Sequence, residues 1–231
     1  TVGRRAGTVH EDVQMTLGIY IHHSQFDDPE VTLRTVAAVQ ADANGWGKLY
    51  VVCNGKSTPQ LPFIKGVATI RHFNAATDVA VMQRAIRDYP TDVNVLLRSG
   101  VEVQRGTLAR LVTTLSDESI GIAAPTTFRI DESMMGAEGL SDTKFVRDWC
   151  WAWRSELTKV IGYVDWVGNA FRECPGADVD YCYRAREQGY RVVQVNEAMA
   201  MLTGAIDERW SSKARTWLIG KYGLMKINEV W

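Results

Sequence analysis

This 231-residue sequence predicts an α/β fold: a mainly parallel twisted sheet flanked by helices. Two observations predict it. Apolar runs of strand length alternate with segments whose apolar residues recur at helical spacing, the order that crossover helices between parallel strands produce. The joints carry capping and turn chemistry: Asp28-Pro29-Glu30 opens a helix, and Asn44-Gly45 and Asn54-Gly55 close the segments before them.

The elements follow in order. Residues 16–21 (TLGIYI) read as a buried strand. Asp28 is a natural N-cap, Pro29 suits the first helical position and Glu30 favours the positive end of the dipole, so a helix is expected from Val31 to about Asp42. Residues 48–53 (KLYVVC) are a second strand and residues 68–72 a short third. Across 77–88, Val79, Val81, Met82, Ala85 and Ile86 share one helical face. Residues 93–97 (VNVLL) form the fourth and most hydrophobic strand. Gly106-Thr107 restarts a helix through Leu115, and residues 120–125 (IGIAAP) are the fifth strand.

The second half is less regular. Residues 129–143, with Gly136 and Gly139, read as a long loop of the kind that forms lids. Short helices are expected over 155–161, ended by Gly162, and over 178–188, with Gly189 at the left-handed C′ position. Residues 191–195 are a late strand. Trp210, Ala214, Trp217, Leu218 and Tyr222 make 208–225 an amphipathic C-terminal helix. With no repeat and no low-complexity tract, a single domain over 1–231 is expected.

Composition sets limits. Hydrophobic residues make up 46% and charged residues 23%, enough for a sizeable core. A net charge of -1 exerts no global pull on nucleic acid or anionic lipid. Cys53, Cys150, Cys174 and Cys182 show no C-x-x-C spacing, so free thiols and a cytoplasmic location are expected. No run of about 18 apolar residues suggests a membrane span. The chain begins at Thr1 rather than Met, consistent with removal of an upstream segment.

In doubly wound sheets ligands sit beyond the carboxyl ends of the strands. That directs attention to residues 22–28, 53–58, Asn74 and 98–102, which should converge on one cleft. Gly45-Trp46-Gly47-Lys48 looks like a phosphate loop but precedes a strand instead of joining strand to helix, so the reading fails. His22 and His23 are adjacent in extended chain and point to opposite sides, poor geometry for a shared metal. Trp151, Trp153 and Trp166 could stack on a sugar or base, but the core is the favoured place for them.

Four stretches resemble family-2 glycosyltransferases of the GT-A fold. Val51-Val52-Cys53-Asn54-Gly55-Lys56-Ser57-Thr58 is similar to that family's V-V-D-N-G-S-T-D strand ending, and His72-Phe73-Asn74 to its N-x-G segment. Residues 95–112, from Val95-Leu96-Leu97-Arg98-Ser99-Gly100 onward, resemble the stretch that carries the D-x-D motif. Ile161-Gly162-Tyr163-Val164-Asp165, then Gly176-Ala177-Asp178-Val179-Asp180 through Arg184 and Gly189-Tyr190, is similar to G-g-F-D-E…E-D-v-D-l-c-x-R-x-x-x-x-G-y. The segments keep the family's order across about residues 16–205, with a nucleotide-binding half near 14–126 and an acceptor-side half near 127–231.

The resemblance implies an inverting transfer of sugar from a nucleotide diphosphate-sugar to an acceptor, which is a glycan, lipid, protein or nucleic acid. Asp178 takes the place of the general base, although Ala177 replaces the Glu of the family's E-D pair. The catalytic role is preferred to that of a plain helix-start acid helping the dipole. Asp180 and Arg184, at i and i+4, are expected as a helix-surface ion pair.

Arg98, Ser99 and Gly100 stand where D-x-D would hold a divalent metal, and no histidine falls near 201–203 where a third ligand is expected. Glu102 alone is a poor site. No metal or other cofactor is therefore expected: Arg98 would supply fixed charge to the diphosphate instead, unless it is merely a strand-end surface arginine. Cys53 replaces the aspartate that usually contacts the base. His22, Cys53, Asn54, Asn74, Arg98 and Ser99 are the expected donor-site residues, with 129–143 as an acceptor-side lid. The alternatives are a catalytically silent GT-A binding domain and, more distantly, a nucleotidyltransferase.

Overall fold

Residues 17–23, 48–54 and 93–98 are mostly apolar and mostly buried because both faces of each strand are covered. The computed structural model describes residues 15–24, 27–54, 61–72, 78–129, 138–146, 150–162, 177–203 and 212–223. Its elements run β1 (Leu17–His23), α1 (Pro29–Ala43), β2 (Lys48–Asn54), β3 (Val67–His72), α2 (Asp78–Asp88), β4 (Val93–Arg98), β5 (Val101–Val103), α3 (Thr107–Thr114), β6 (Ile120–Arg129), β7 (Leu140–Asp142), β8 (Cys150–Arg154), α4 (Ser155–Ile161), α5 (Ala177–Glu187), β9 (Arg191–Leu202) and α6 (Ser212–Tyr222).

One sheet gathers the strands in the order β3-β2-β1-β4-β8-β6-β9-β5, with β7 also on β9. β1, β2, β3 and β4 are mutually parallel, and β6 and β9 run the same way. β8 runs antiparallel between β4 and β6, while β5 and β7 lie antiparallel along the outer edge of β9. The six strands expected from apolar runs are the six that share one direction.

Alternation along each strand sorts side chains to two layers. Ile19, Ile21, Val51, Cys53, Val95 and Leu97 face α1 and α3. Tyr20, Tyr50, Val52 and Leu96 face the layer of α2, α4 and α5, where Trp151, Trp153 and Tyr181 form the aromatic centre. The Trp151 and Trp153 rings lie 4.9 Å apart, and Tyr181 meets Trp151 edge-on at 5.3 Å. Trp151 and Trp153 therefore belong to the core, and Trp166 lies outside the described residues.

The expected cap of α1 is present: Asp28 is extended and its Oδ1 accepts from the Glu30 amide at 2.9 Å, while Asn44 ends the helix in the left-handed region. Asp42, near the end of α1, caps α3 in turn, accepting from the Gly106 amide and, at 2.8 Å, from that of Leu108. Two boundaries differ from expectation. β6 continues to Arg129 and residues 140–142 form β7, so strand takes both ends of the expected loop; residues 130–137 lie outside the described ones. β9 continues past Val195 to Leu202, with a register shift against β6 that takes up residues 196–198. The C-terminal helix is described over Ser212–Tyr222, and residues 208–211 and 224–225 of the expected helix lie outside the described ones. Among the described residues no helix is long and apolar enough to cross a membrane.

Candidate active site

β1 and β4 are paired residue for residue, and His22 stands opposite Arg98 at their carboxyl ends. Just beyond, the chain turns at Ser99-Gly100, held by the Ser99 amide on the His22 carbonyl at 3.0 Å and the Gly100 amide on Thr35 Oγ1 at 3.0 Å. The pleat assigns His22, Asn54 and Arg98 to the α2/α5 side, the side of Tyr20, Val52 and Leu96.

Asp178 comes to the same end by a different route. α5 ends in a turn at Gly189, and the Arg191 amide bonds the Ser119 carbonyl at 2.8 Å where β6 and β9 begin. The helix thus runs against the parallel strands, and its 11 residues span about 16 Å. Tyr181 packs on Trp151, the register partner of Leu96, so Asp178, three residues earlier, lies toward the level of Arg98. Arg98 and Asp178 share one end and one face of the sheet. Asp178 is 5% exposed, and its Oδ1 lies 2.9 Å from the Val179 amide.

One expected donor-site residue, Cys53, is placed otherwise, and Ser99, half-buried at the mouth, is tied to α1. Cys53 is 1% exposed and lies in the core beneath α1, because its strand position is odd where that of Asn54 is even. The Ser99 hydroxyl is bound to Thr32 at 2.7 Å, on the α1 side of the turn. Asn74 lies outside the described residues.

Asp180 also departs from expectation. Its pair with Arg184 forms, Nε to Oδ2 at 2.9 Å, but Asp180 is fully buried, not on the helix surface. Its Oδ1 accepts from Lys221 Nζ at 2.7 Å and from the Tyr222 hydroxyl at 2.5 Å, so α6 is clasped onto α5 two residues from Asp178. Burial, then the bond to Asp180, raises the pKa of the Tyr222 hydroxyl. Burial likewise pushes the Cys150 and Cys182 thiols far above their usual range, which removes both as nucleophiles.

Two solved structures share this fold. That of GalNAc-T7 with UDP, GalNAc and Mn2+ matches 96% of this chain and 49% of its own, with a TM-score of 0.69 and 13% identity. That of the mannosyltransferase PcManGT from Pyrobaculum calidifontis, in complex with GDP-Man and Mn2+, matches 91% of this chain and 63% of its own, with a TM-score of 0.58 and 13% identity. The fold is GT-A. The chain spans about half the length of the first and less than two thirds of the second. No protein-family model matches the sequence, and no curated protein matches it.

In this GT-A domain the end of β9 returns to the 98–102 segment. The Thr203 amide bonds the Gly100 carbonyl at 2.8 Å, and Thr203 Oγ1 bonds Glu102 Oε1 at 2.8 Å. Glu102 is also ion-paired to Arg34 at 3.4 Å. A divalent cation asks for several oxygen ligands, mostly carboxylates. One carboxylate already held by a guanidinium fits it poorly.

Proposed function

We propose that this domain transfers a sugar from a nucleoside diphosphate donor to an acceptor with inversion and without a metal. The observation that carries the reading is the placement of Arg98 and Asp178 at one end and on one face of the sheet. Asp178 takes the proton from the acceptor hydroxyl as that oxygen attacks the anomeric carbon and the bond to the diphosphate oxygen breaks. The leaving diphosphate gains negative charge, and the Arg98 guanidinium, a fixed two-pronged cation, holds it. His22 and Asn54, on the same face, would line the donor side, within a nucleotide-binding half near 14–126.

The UDP and GDP-Man named for the two structural neighbours support a nucleotide-sugar donor here. Arg98 at the first position of the D-x-D equivalent and the Glu102–Arg34 pair support metal independence. The second reading, a silent GT-A domain that binds without catalysis, draws on Ala177 in place of the family glutamate and on the buried Cys53.

Titration calorimetry with UDP- and GDP-sugars, with and without EDTA, tests the proposal. Binding that survives EDTA, with donor hydrolysis lost in Asp178→Asn, is the expected result. Binding abolished by EDTA overturns the role of Arg98, and no binding at all puts the silent domain ahead.

A further inference from the structure

Beneath the turn that carries Arg98 lies a chain of three side chains with no part in the reaction as described so far. His23, fully buried at the end of β1, turns toward α1, the opposite way from His22. Its Nδ1 lies 2.7 Å from Thr32 Oγ1, which in turn lies 2.7 Å from Ser99 Oγ. Thr32 is fully buried on the inner side of α1, and its amide bonds the Asp28 carbonyl at 3.2 Å. Ser99 is half-buried at the mouth of the sheet, next to Arg98 in the chain.

Each hydroxyl has one hydrogen, so the chain has a direction. When His23 Nδ1 carries a proton it donates to Thr32, Thr32 donates to Ser99, and the Ser99 hydrogen is left to point outward. When Nδ1 is bare, Thr32 donates to it and Ser99 donates to Thr32, so that only lone pairs of Ser99 face outward. A phosphate oxygen accepts hydrogen bonds, and the first direction alone suits it.

We propose that His23 and Thr32 are positioning residues: the Nδ1–H form of His23, acting through Thr32, aims the Ser99 hydroxyl hydrogen at a phosphate oxygen of the donor beside Arg98. The proposal rests on the sugar-transfer reading, since the phosphate is the donor's.

Three variants test it. Thr32→Val breaks the link while keeping the side chain's shape, Ser99→Ala removes the terminal donor, and Thr32→Ser keeps the hydroxyl. Dissociation constants for UDP and GDP are measured by calorimetry at one salt concentration, melting temperature is followed in parallel, and long-range proton–nitrogen spectra report the His23 tautomer. Thr32→Val and Ser99→Ala should each weaken the better-binding nucleotide about tenfold. The double variant should be no weaker than Ser99→Ala alone, Thr32→Ser should bind as the parent does, and His23 Nδ1 should be protonated in the parent.

Losses that multiply in the double variant, or a bare Nδ1, overturn the proposal. So does a Thr32→Val protein that melts earlier yet binds normally, because its hydroxyl would then serve the fold alone. A parent chain that binds neither nucleotide overturns the sugar-transfer reading and this proposal together, whereas normal binding by Thr32→Val in a nucleotide-binding parent overturns only this one.

Discussion

Arg98 ends a strand that is hydrogen-bonded on both sides, by β1 and β8, whereas Asp178 begins a helix whose first turn is held by charged groups arriving from α6. Around Arg98 the strand contacts are main-chain pairs repeated along β4, and the turn beyond is held by the hydroxyls of Thr35 and Thr32 as well. Around Asp178 they converge on the carboxylate of Asp180, which takes Arg184, Lys221 and Tyr222 together. The strand side is redundant and the helix side is not. Local opening should therefore begin at the α5–α6 contact.

The sharpest way to break this comparison is Asp180→Ala. It strips three donors of a buried acceptor and should cost about 3 kcal/mol in chemical denaturation, the range for breaking a buried ion pair from one side. Hydrogen exchange should rise in α6, and donor turnover should fall while nucleotide affinity at Arg98 changes little. Equal exchange rates in α6 before and after the change would erase the distinction.

Tyr222→Phe removes one of the three donors and should cost about 1.5 kcal/mol, the scale of a hydrogen bond to a charged group. Arg98→Ala should do the reverse of Asp180→Ala: nucleotide affinity falls at least tenfold, while stability falls by less than in Asp180→Ala. A large loss of stability there would mean that Arg98 is part of the strand scaffold.

The smallest expected effect lies on the strand side. Asp92 pins the start of β1 through the Thr16 amide at 2.7 Å and hydroxyl at 2.8 Å, and these bonds hold its carboxyl below the usual carboxylate range. A depressed folded-state pKa stabilises above the unfolded value near 3.9, and that contribution is lost as pH falls through the folded value. Urea midpoints of the parent and Asp92→Asn should thus converge below about pH 4 and separate, by a small margin, at neutral pH.

Much of this was legible in the residues. Most of the six strands were visible because burial on both faces makes them apolar runs; β3, an edge strand with Ala68 and Thr69 exposed, is the exception. β5, β7 and β8 escaped notice for separate reasons. β5 and β7 are three residues each, too short for any period, and the five of β8 (CWAWR) carry no turn signal on either side. Within the site, the His22–Arg98 neighbourhood followed from topology. The misplacement of Cys53 was avoidable, since counting in twos from Val51 puts it in the core. Thr32 and Thr35 gave a readable hint as well: both are buried polar residues in line with Val36 and Val39 on the inner face of α1. The burial of Asp180 was not readable, because it depends on a helix 41 residues away in the chain.

The tilted indoles of Trp151 and Trp153, 4.9 Å apart and inclined by 32°, have an optical consequence. Two indoles this close and skewed in a rigid cage couple their transitions, so the domain should show a split far-ultraviolet circular-dichroism couplet. Because Tyr181 of α5 braces both rings, loosening of that helix would flatten the couplet while leaving the strand signal in place. The pair is a built-in gauge of whether the helix that presents Asp178 is seated.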